Sequence, residues 1–146
     1  MARYLIDTNI FTFVATEDFD SLTADVQEIL DDYESEILMS MESVRELIVA
    51  FRAGKVISKY FKSPLEVVES IERDYNIRIV NVDMEVMRTL AKLTINEAEG
   101  HNDPSDHIII SQAITMKLPL ISSDHKFPFY VHQGLDLIYN RVKGRK

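Results

Sequence analysis

The stretch "DPSDHIIISQAITMKLPLISSD", residues 103–124, contains the pattern that decides the fold. Pro104 suits the first position of a helix, and Asp103 suits the capping position before it. The apolar run that follows predicts a helix to about Met116, and "PLISSD" predicts a buried strand that ends in Asp124. The stretch therefore predicts a helix joined to a strand by a short turn, with acids at both ends.

The rest of the chain repeats this alternation of strands and helices. Short apolar runs predict strands, and apolar residues at helical spacing predict the helices between them. The predicted strands cover residues 3–7, 36–40, 77–82, 119–124 and 135–139; "TNIF" (8–11) is a turn into a helix, and the predicted helices cover residues 22–33, 42–51, 64–75, 83–93 and 104–116. Such an alternation is typical of an α/β fold with a parallel sheet covered on both faces.

Length and composition limit the classes of protein that remain. A chain of 146 residues with 46% hydrophobic content predicts a single domain over residues 1–146. It contains no long apolar run and no signal peptide, so we expect a soluble, cytoplasmic protein without a membrane segment. The absence of cysteine excludes disulfides, thiolate catalysis and cysteine-ligated metals, so oxygen or imidazole must hold any metal.

The net charge of −8 argues at first against a nucleic-acid ligand. The excess is local, however, because residues 1–50 hold 12 acids and two bases, while residues 51–146 hold 12 acids and 14 bases. Much of it lies in "EDFDSLTADVQEILDDYESE" (17–36), which is most simply a solvated helix face. The chain ends in the basic stretch "RVKGRK" (141–146), which could meet phosphate or be a frayed end.

Several acids are predicted to meet at one edge of the sheet. Asp7 and Asp124 end two strands, and Glu46 lies about one turn into the helix after another strand. Asp103 and Asp106 lie at the start of the helix that precedes the strand ending in Asp124. In open parallel sheets ligands bind beyond the carboxyl ends of the strands, and right-handed crossovers bring these acids to that edge.

Each acid also has an ordinary structural explanation. Asp7 and Asp124 can form turns, Asp103 can cap a helix, Asp106 can favour the helix dipole, and Glu46 can be a solvated helix residue. Their convergence favours a common site. Clustered carboxylates raise one another's pKa or recruit a cation, and oxygen ligands select Mg²⁺ or Mn²⁺. Such an ion activates water and neutralises phosphate, which predicts hydrolysis of a phosphodiester.

Other polar residues near these acids have weaker assignments. Asn9 and either Ser122 or Ser123 are placed to orient a carboxylate or a water molecule, although they also suit turns. Lys126 and His125 can meet an RNA phosphate or be solvated loop residues. The histidines show no metal-ligand spacing, and His107 is expected at the surface: His101, His107, His125 and His132.

Four motifs in this order resemble the PIN-domain ribonucleases, in particular toxins of the VapC type. The motifs are "LIDTN", "SMESVREL", "DPSDHIIISQA" and "LPLISSD". The resemblance implies a three-layer α/β/α sandwich with a central, mostly parallel sheet of four to five strands. It implies a Mg²⁺- or Mn²⁺-dependent endoribonuclease that cuts structured RNA such as transfer RNA. It also implies a homodimer and a small antitoxin whose C-terminal segment wraps the toxin.

Carried over by motif, the acidic quartet that holds the metal and performs catalysis is Asp7, Glu46, Asp106 and Asp124. Asp103 is an auxiliary candidate, because an acid often precedes the key aspartate of the third motif. The chain departs from the common pattern at Ser105 and His107, where many relatives have Phe and Arg.

Two other functions remain open from the sequence. A non-catalytic PIN-like domain would keep the fold and bind RNA or a protein, but retention of all four acids argues against it. A phosphatase with Asp7 as nucleophile would need a second acid two residues later, where this chain has Asn9. The apolar residues of "ELIVAFRAGKVISKYF" (46–61) exceed one helix face, so they form core or dimer contacts or a groove for a partner helix.

Overall fold

A computed structural model describes residues 1–142, and its centre is a five-stranded sheet. The strands are β1 (Arg3–Ile6), β2 (Glu36–Ser40), β3 (Arg78–Val80), β4 (Leu120–Ser122) and β5 (Leu137–Tyr139). They lie in the order β3-β2-β1-β4-β5, and all four pairings are parallel. The predicted α/β class with a parallel sheet is confirmed.

Six α-helices and three short 3₁₀ helices connect the strands within residues 1–142. The α-helices are α1 (Thr8–Ala15), α2 (Ala24–Asp31), α3 (Met41–Arg52), α4 (Pro64–Arg73), α5 (Met84–Lys92) and α6 (Pro104–Met116). The 3₁₀ helices cover Phe19–Ser21, Val56–Lys59 and Phe127–Gln133. Asp103 caps α6 and Ser63 caps α4, each before a proline at the first helical position. The sequence did not predict the 3₁₀ helices.

The two predicted strands that end in acids stop earlier than expected, because the side chains of these acids accept turn hydrogen bonds, although the Asp7 N–H still donates to the Ile121 carbonyl oxygen at 2.9 Å. β1 ends at Ile6, and Asp7 is the N-cap of α1, with its side chain accepting from the Thr8 N–H. β4 ends at Ser122, and Asp124 Oδ1 accepts from the Lys126 N–H at 2.9 Å. Both acids therefore lie just beyond the strands, where carboxylates can leave the sheet.

Side chains alternate across the sheet and create two cores. Leu5, Leu38 and Leu120 face α6, and α5 packs against α6. Their strand neighbours Ile6, Met39 and Ile121 face the other way, toward α1 to α4. The sheet is thus covered on both faces, which confirms the three-layer α/β/α arrangement.

The strand order creates a topological switch point between β1 and β4. The chain leaves β1 through α1 on one face of the sheet toward β2, whereas it leaves β4 through the 3₁₀ helix Phe127–Gln133 on the other face toward β5. Ligands of doubly wound α/β folds bind where such neighbouring connections diverge. Asp7 and Asp124 follow these two strands, so the switch point lies at the predicted acids.

The apolar stretch 46–61 divides between core and surface. Leu47 and Ile57 are buried in the core, while Val49, Val56 and Tyr60 are each about half exposed. Within residues 1–142, no helix combines the length and apolar character that a membrane crossing needs. The predicted basic tail, 141–146, falls mostly outside the described residues.

Candidate metal centre

The four predicted acids line one cleft at the switch point. Its volume is about 310 Å³. Its walls are formed by Asp7, Thr8, Asn9, Thr12, Phe13, Glu46, Asp106, Ser123 and Asp124. The cleft thus receives carboxylates from residues that are far apart in sequence, at the start of α1, on α3, on α6 and after β4.

Asp7 is the most deeply buried of these acids, with 3% of its surface exposed. The Thr8 N–H donates to its Oδ1 at 2.8 Å, and the Ser122 hydroxyl donates to its Oδ2 at 2.7 Å. These bonds favour the anion, but burial outweighs them and raises the pKa of Asp7 to about 7, with help from the charges of Glu46 and Asp124. Each oxygen keeps a lone-pair position for another partner.

Asp106 is the third residue of α6, and its pKa is raised further, to about 9. Burial is the largest cause, followed by the charges of Asp7, Asp103 and other acids. Bare carboxylates at this spacing therefore cannot all ionise near neutral pH. They need protons or a cation to offset their repulsion.

Glu46 reaches the cleft from the middle of α3. The Thr8 hydroxyl donates to its Oε1 at 2.6 Å, which connects α3 to the start of α1. Burial raises the pKa of Glu46, although the bond from Thr8 opposes this, and Asp103 adds repulsion. Thr8 lies between two candidate residues, Asp7 and Asn9, yet nothing in its local sequence predicted this contact with α3.

Asp103 performs its predicted capping role and also lies near the acids. Its Oδ1 accepts from the Ser105 N–H at 3.0 Å. Its side chain is exposed, and ligand atoms of Asp103, Glu46 and Asp106 all lie within 4.8 Å of one another. Asp103 therefore remains an auxiliary candidate, with a structural role that does not require a metal.

The unusual Ser105 has a role in joining α6 to α3. Its hydroxyl bonds to Glu42, and Arg45 Nη2 donates to the Ser105 oxygen at 2.7 Å. Burial alone would raise the pKa of Glu42, but the bonds from Arg45 and Ser105 outweigh it and lower that pKa. Glu42 is thus charge-compensated within the protein.

Of the predicted polar residues, Asn9 and Ser123 line the cleft, whereas Ser122 contacts two of its acids without lining it. Ser122 is fully buried and bridges two acids, because its hydroxyl donates to Asp7 and accepts from the Asp124 N–H at 3.1 Å. Asn9 Oδ1 and Ser123 Oγ are buried and have no hydrogen-bond partner within residues 1–142. Unpaired buried oxygens are costly unless water or an ion satisfies them.

One contact was missed by the sequence analysis. His101, 1% exposed, lies in the loop between α5 and α6, and its Nε2 is 2.9 Å from Asp106 Oδ2. Burial lowers its pKa, and the neighbouring His107 lowers it further. His107 is only partly exposed, and its Nε2 donates to the His101 carbonyl oxygen at 2.8 Å. The sequence analysis found no metal-ligand spacing among the histidines and gave His101 no role, whereas the structure brings it into contact with a predicted site acid.

The donor set of the cleft fits a hard divalent cation. It offers carboxylate oxygens from four acids, together with unpaired oxygens of Asn9 and Ser123. Oxygen ligands of this kind suit Mg²⁺ or Mn²⁺, and positive charge would offset both the burial and the repulsion that raise the pKa values of Asp7 and Asp106.

Comparison with known families adds independent evidence. The family profile described as PIN domain matches residues 4–130, which is most of the chain. Among curated proteins, no sequence relative matches.

Solved structures share the fold at low sequence identity. Three of them are VapBC2 of Rickettsia felis bound to a promoter DNA fragment, DNA-bound VapBC of Salmonella typhimurium, and VapBC-5 of Mycobacterium tuberculosis. Their TM-scores are 0.68, 0.68 and 0.62, at identities of 18%, 16% and 23%. The matches cover 94%, 97% and 97% of this chain and 98%, 100% and 100% of the others. The likeness extends along nearly the whole of each chain.

Proposed function

Because the chain belongs to the PIN-domain family, we propose that it is a metal-dependent endoribonuclease that hydrolyses phosphodiester bonds. The observation that carries the proposal is the convergence of Asp7, Glu46, Asp106 and Asp124 on one cleft at the switch point of the sheet. A purely structural role does not explain why Asp7, Glu46 and Asp106 are withdrawn from water together, with raised pKa values.

The proposed metal ligands are the same four acids. A divalent cation would supply Lewis-acid chemistry, by offsetting the charge of the phosphodiester and lowering the pKa of water. Mg²⁺ and Mn²⁺ both suit oxygen ligands, so both are proposed cofactors.

The protein's own groups orient the proposed ligands. The Thr8 N–H and the Ser122 hydroxyl each hold one oxygen of Asp7, which fixes the plane of that carboxylate. The Thr8 hydroxyl holds Oε1 of Glu46 and leaves its other oxygen for a proton or a cation. Asn9 and Ser123 are proposed to complete the polar lining, with Ser122 orienting Asp7 from behind it and Asp103 at its exposed rim.

We also propose a biological setting for this nuclease. The fold neighbours include VapBC structures, one of which is described as a member of a family of toxin–antitoxin systems. A toxin of this kind would act on structured RNA in the cytoplasm, with transfer RNA the first substrate to test. It would be a single domain over residues 1–146, inhibited by a small antitoxin and prone to form homodimers.

The half-exposed side chains of Val49, Val56 and Tyr60 support the partner proposal, since they leave apolar surface beside the core of α3 and α4. If a small gene beside this one encodes the antitoxin, co-expression with its product should yield a stable complex that no longer cleaves RNA. Light scattering of the purified chain measures its oligomeric state. A fully active monomer that does not bind this gene product would contradict both the homodimer and the antitoxin proposals.

The decisive experiment measures RNA cleavage by the purified chain. We expect cleavage with Mg²⁺ or Mn²⁺, loss of cleavage in excess EDTA, and recovery when the metal is restored. Asp7→Asn removes one proposed ligand while nearly preserving its size, so it should abolish cleavage and growth arrest without unfolding the protein. Unchanged cleavage by Asp7→Asn, or full activity in EDTA, would show that the site assignment is wrong.

A further inference from the structure

His101 lies between Tyr130 and the acidic centre and makes one hydrogen bond to each. Its Nε2 lies 2.9 Å from Asp106 Oδ2, and its Nδ1 lies 2.8 Å from the Tyr130 hydroxyl oxygen. His101 and Tyr130 are both almost completely buried. Both ring nitrogens therefore have partners, and the question is which atoms donate.

The surroundings of Tyr130 determine the direction of these bonds. Its hydroxyl oxygen accepts from the backbone N–H of Asn96 at 3.0 Å. Its hydroxyl proton still needs an acceptor, and within residues 1–142 the structure offers His101 Nδ1. A histidine that accepts at Nδ1 is neutral and carries its proton on Nε2. His101 therefore donates from Nε2 to Asp106 Oδ2.

Long-range bonds hold His101 in this place. Gln133, at the end of the last 3₁₀ helix, accepts from the Thr94 N–H at 2.8 Å and donates to the Thr94 carbonyl at 2.9 Å. His107 donates to the His101 carbonyl from the first turns of α6. The loop is thus anchored at its start and at its end, which makes the histidine a fixed donor.

We propose that His101 is a positioning residue that holds one oxygen of Asp106 and leaves the other oxygen for the divalent cation, with Tyr130 fixing the required tautomer. The inference rests on the proposed metal-dependent function. Donors behind a ligating carboxylate set its orientation and contribute about 10–100-fold to metal affinity. Direct ligation by His101 is the opposing arrangement, because it requires an unprotonated Nε2. Ligand atoms of His101, Asp106 and Asp124 lie within 4.8 Å of one another, so the distances allow it.

The first test observes the tautomer without any metal or RNA. Two-bond ¹⁵N–¹H correlation spectra of the metal-free protein should show His101 as the Nε2–H tautomer, assigned by its disappearance in His101→Gln. Tyr130→Phe removes the hydroxyl that fixes the ring and should produce a mixture of tautomers. An Nδ1–H tautomer or a charged imidazolium in the parent protein would overturn the inference.

The second test measures Mn²⁺ affinity by calorimetry in the absence of RNA. His101→Ala should weaken binding by about 10–100-fold, and His101→Gln, whose amide can donate at a similar reach, should restore most of it. Tyr130→Phe should weaken binding less than His101→Ala. His132→Ala, an exposed histidine on the last 3₁₀ helix, is the matched control and should equal the parent.

The kinetic readout separates positioning from substrate binding. In His101→Ala the kcat for RNA should fall while KM stays near the parent value, because His101 is almost completely buried and does not line the cleft that RNA would enter. Tyr130→Phe keeps the test valid even if His101→Ala fails to fold.

The outcomes separate this inference from the proposed function. A parent protein that binds no Mn²⁺ contradicts both. A parent that binds Mn²⁺ and cleaves RNA, with His101→Ala or Tyr130→Phe binding the metal equally well, contradicts the inference alone. Loss of the ring N–H signal on addition of diamagnetic Mg²⁺, with His101→Gln unable to restore affinity, identifies His101 as a ligand and also overturns the inference.

Discussion

Two regions of the molecule are rich in acids, and they differ in almost every other respect. On the surface of α2, Asp25, Glu28 and Asp31 are exposed to solvent. In the cleft, Asp7 and Asp106 are buried or nearly so, and burial raises the pKa of each. The number of carboxylates is therefore a poor guide to a site. Their removal from water, in positions where they repel one another, is what indicates a cation site.

The largest expected difference between the two regions is in catalysis. Asp106→Asn should lower kcat/KM for RNA cleavage by about 100-fold or more, because it removes a proposed ligand of the catalytic ion. Asp31→Asn makes the same chemical change on α2 and should leave the rate within about 2-fold, as expected for a surface substitution. Equal losses of activity in both variants would mean that cleavage depends on the overall negative charge of the chain and not on the cleft.

The next difference is in stabilisation by metal. A concentration of Mn²⁺ at 100 times its Kd should stabilise the parent by about 2.7 kcal/mol, or roughly 5–10 °C in Tm. Differential scanning fluorimetry measures this shift. Asp31→Asn should retain it and Asp106→Asn should lose most of it, so a full shift in Asp106→Asn would show that the ion binds elsewhere.

The third difference is in the response of the metal-free protein to pH. Asp7 and Asp106 bind protons more tightly in the folded state than in the unfolded one, where the pKa is near 3.8. The free energy of unfolding therefore falls as the pH rises from the unfolded pKa of 3.8 to the folded pKa, which is about 7 for Asp7 and about 9 for Asp106.

Thermal unfolding in EDTA tests this sign. Between neutral pH and pH 9 the parent should lose on the order of 1 kcal/mol, or about 2–4 °C in Tm. Asp106→Asn should abolish this loss, and Asp31→Asn should retain it. A parent whose stability rises with pH over this range would show that the cleft acids are ionised in the free protein.

The smallest expected effect concerns Asp103, which combines a cap with a place beside the cleft. Asp103→Ala should destabilise the protein by about 1 kcal/mol, whereas Asp103→Ser should preserve stability because serine caps equally well. Urea unfolding measures both variants. If Asp103 also contacts the ion, Asp103→Ser should weaken Mn²⁺ binding despite its intact stability. Unchanged binding would assign Asp103 to the cap alone.

The sequence predicted the parts of the structure that depend on local chemistry. The proline after Asp103 marked the start of α6, and the apolar runs marked each strand of the sheet. The rule that strand ends form the ligand edge then predicts that Asp7 and Asp124 lie together, and both line the cleft. Each of these inferences uses neighbours in sequence or the general handedness of the fold.

His101 could not be predicted in this way. Its position depends on a loop held by residues about 30 to 40 positions later, such as the bond from Asn96 to Tyr130 and that from Thr94 to Gln133. No periodicity or cap near His101 encodes these contacts. The 3₁₀ helix that supplies Tyr130 and Gln133 was itself not predicted, since such short turns have weak local signals.

The hydrogen bond from Ser122 to Asp7 has a consequence for the timing of activity in the cell. It joins residues 115 positions apart, so the beginning of the chain is synthesised long before its partner at the end of β4. Translation adds only about 5–20 residues per second, and the cleft cannot close until that strand has left the ribosome and paired with β1. A nascent chain that has not yet reached β4 therefore lacks the bond that orients the Asp7 carboxylate, and the proposed nuclease site should form only after β4 has paired with β1.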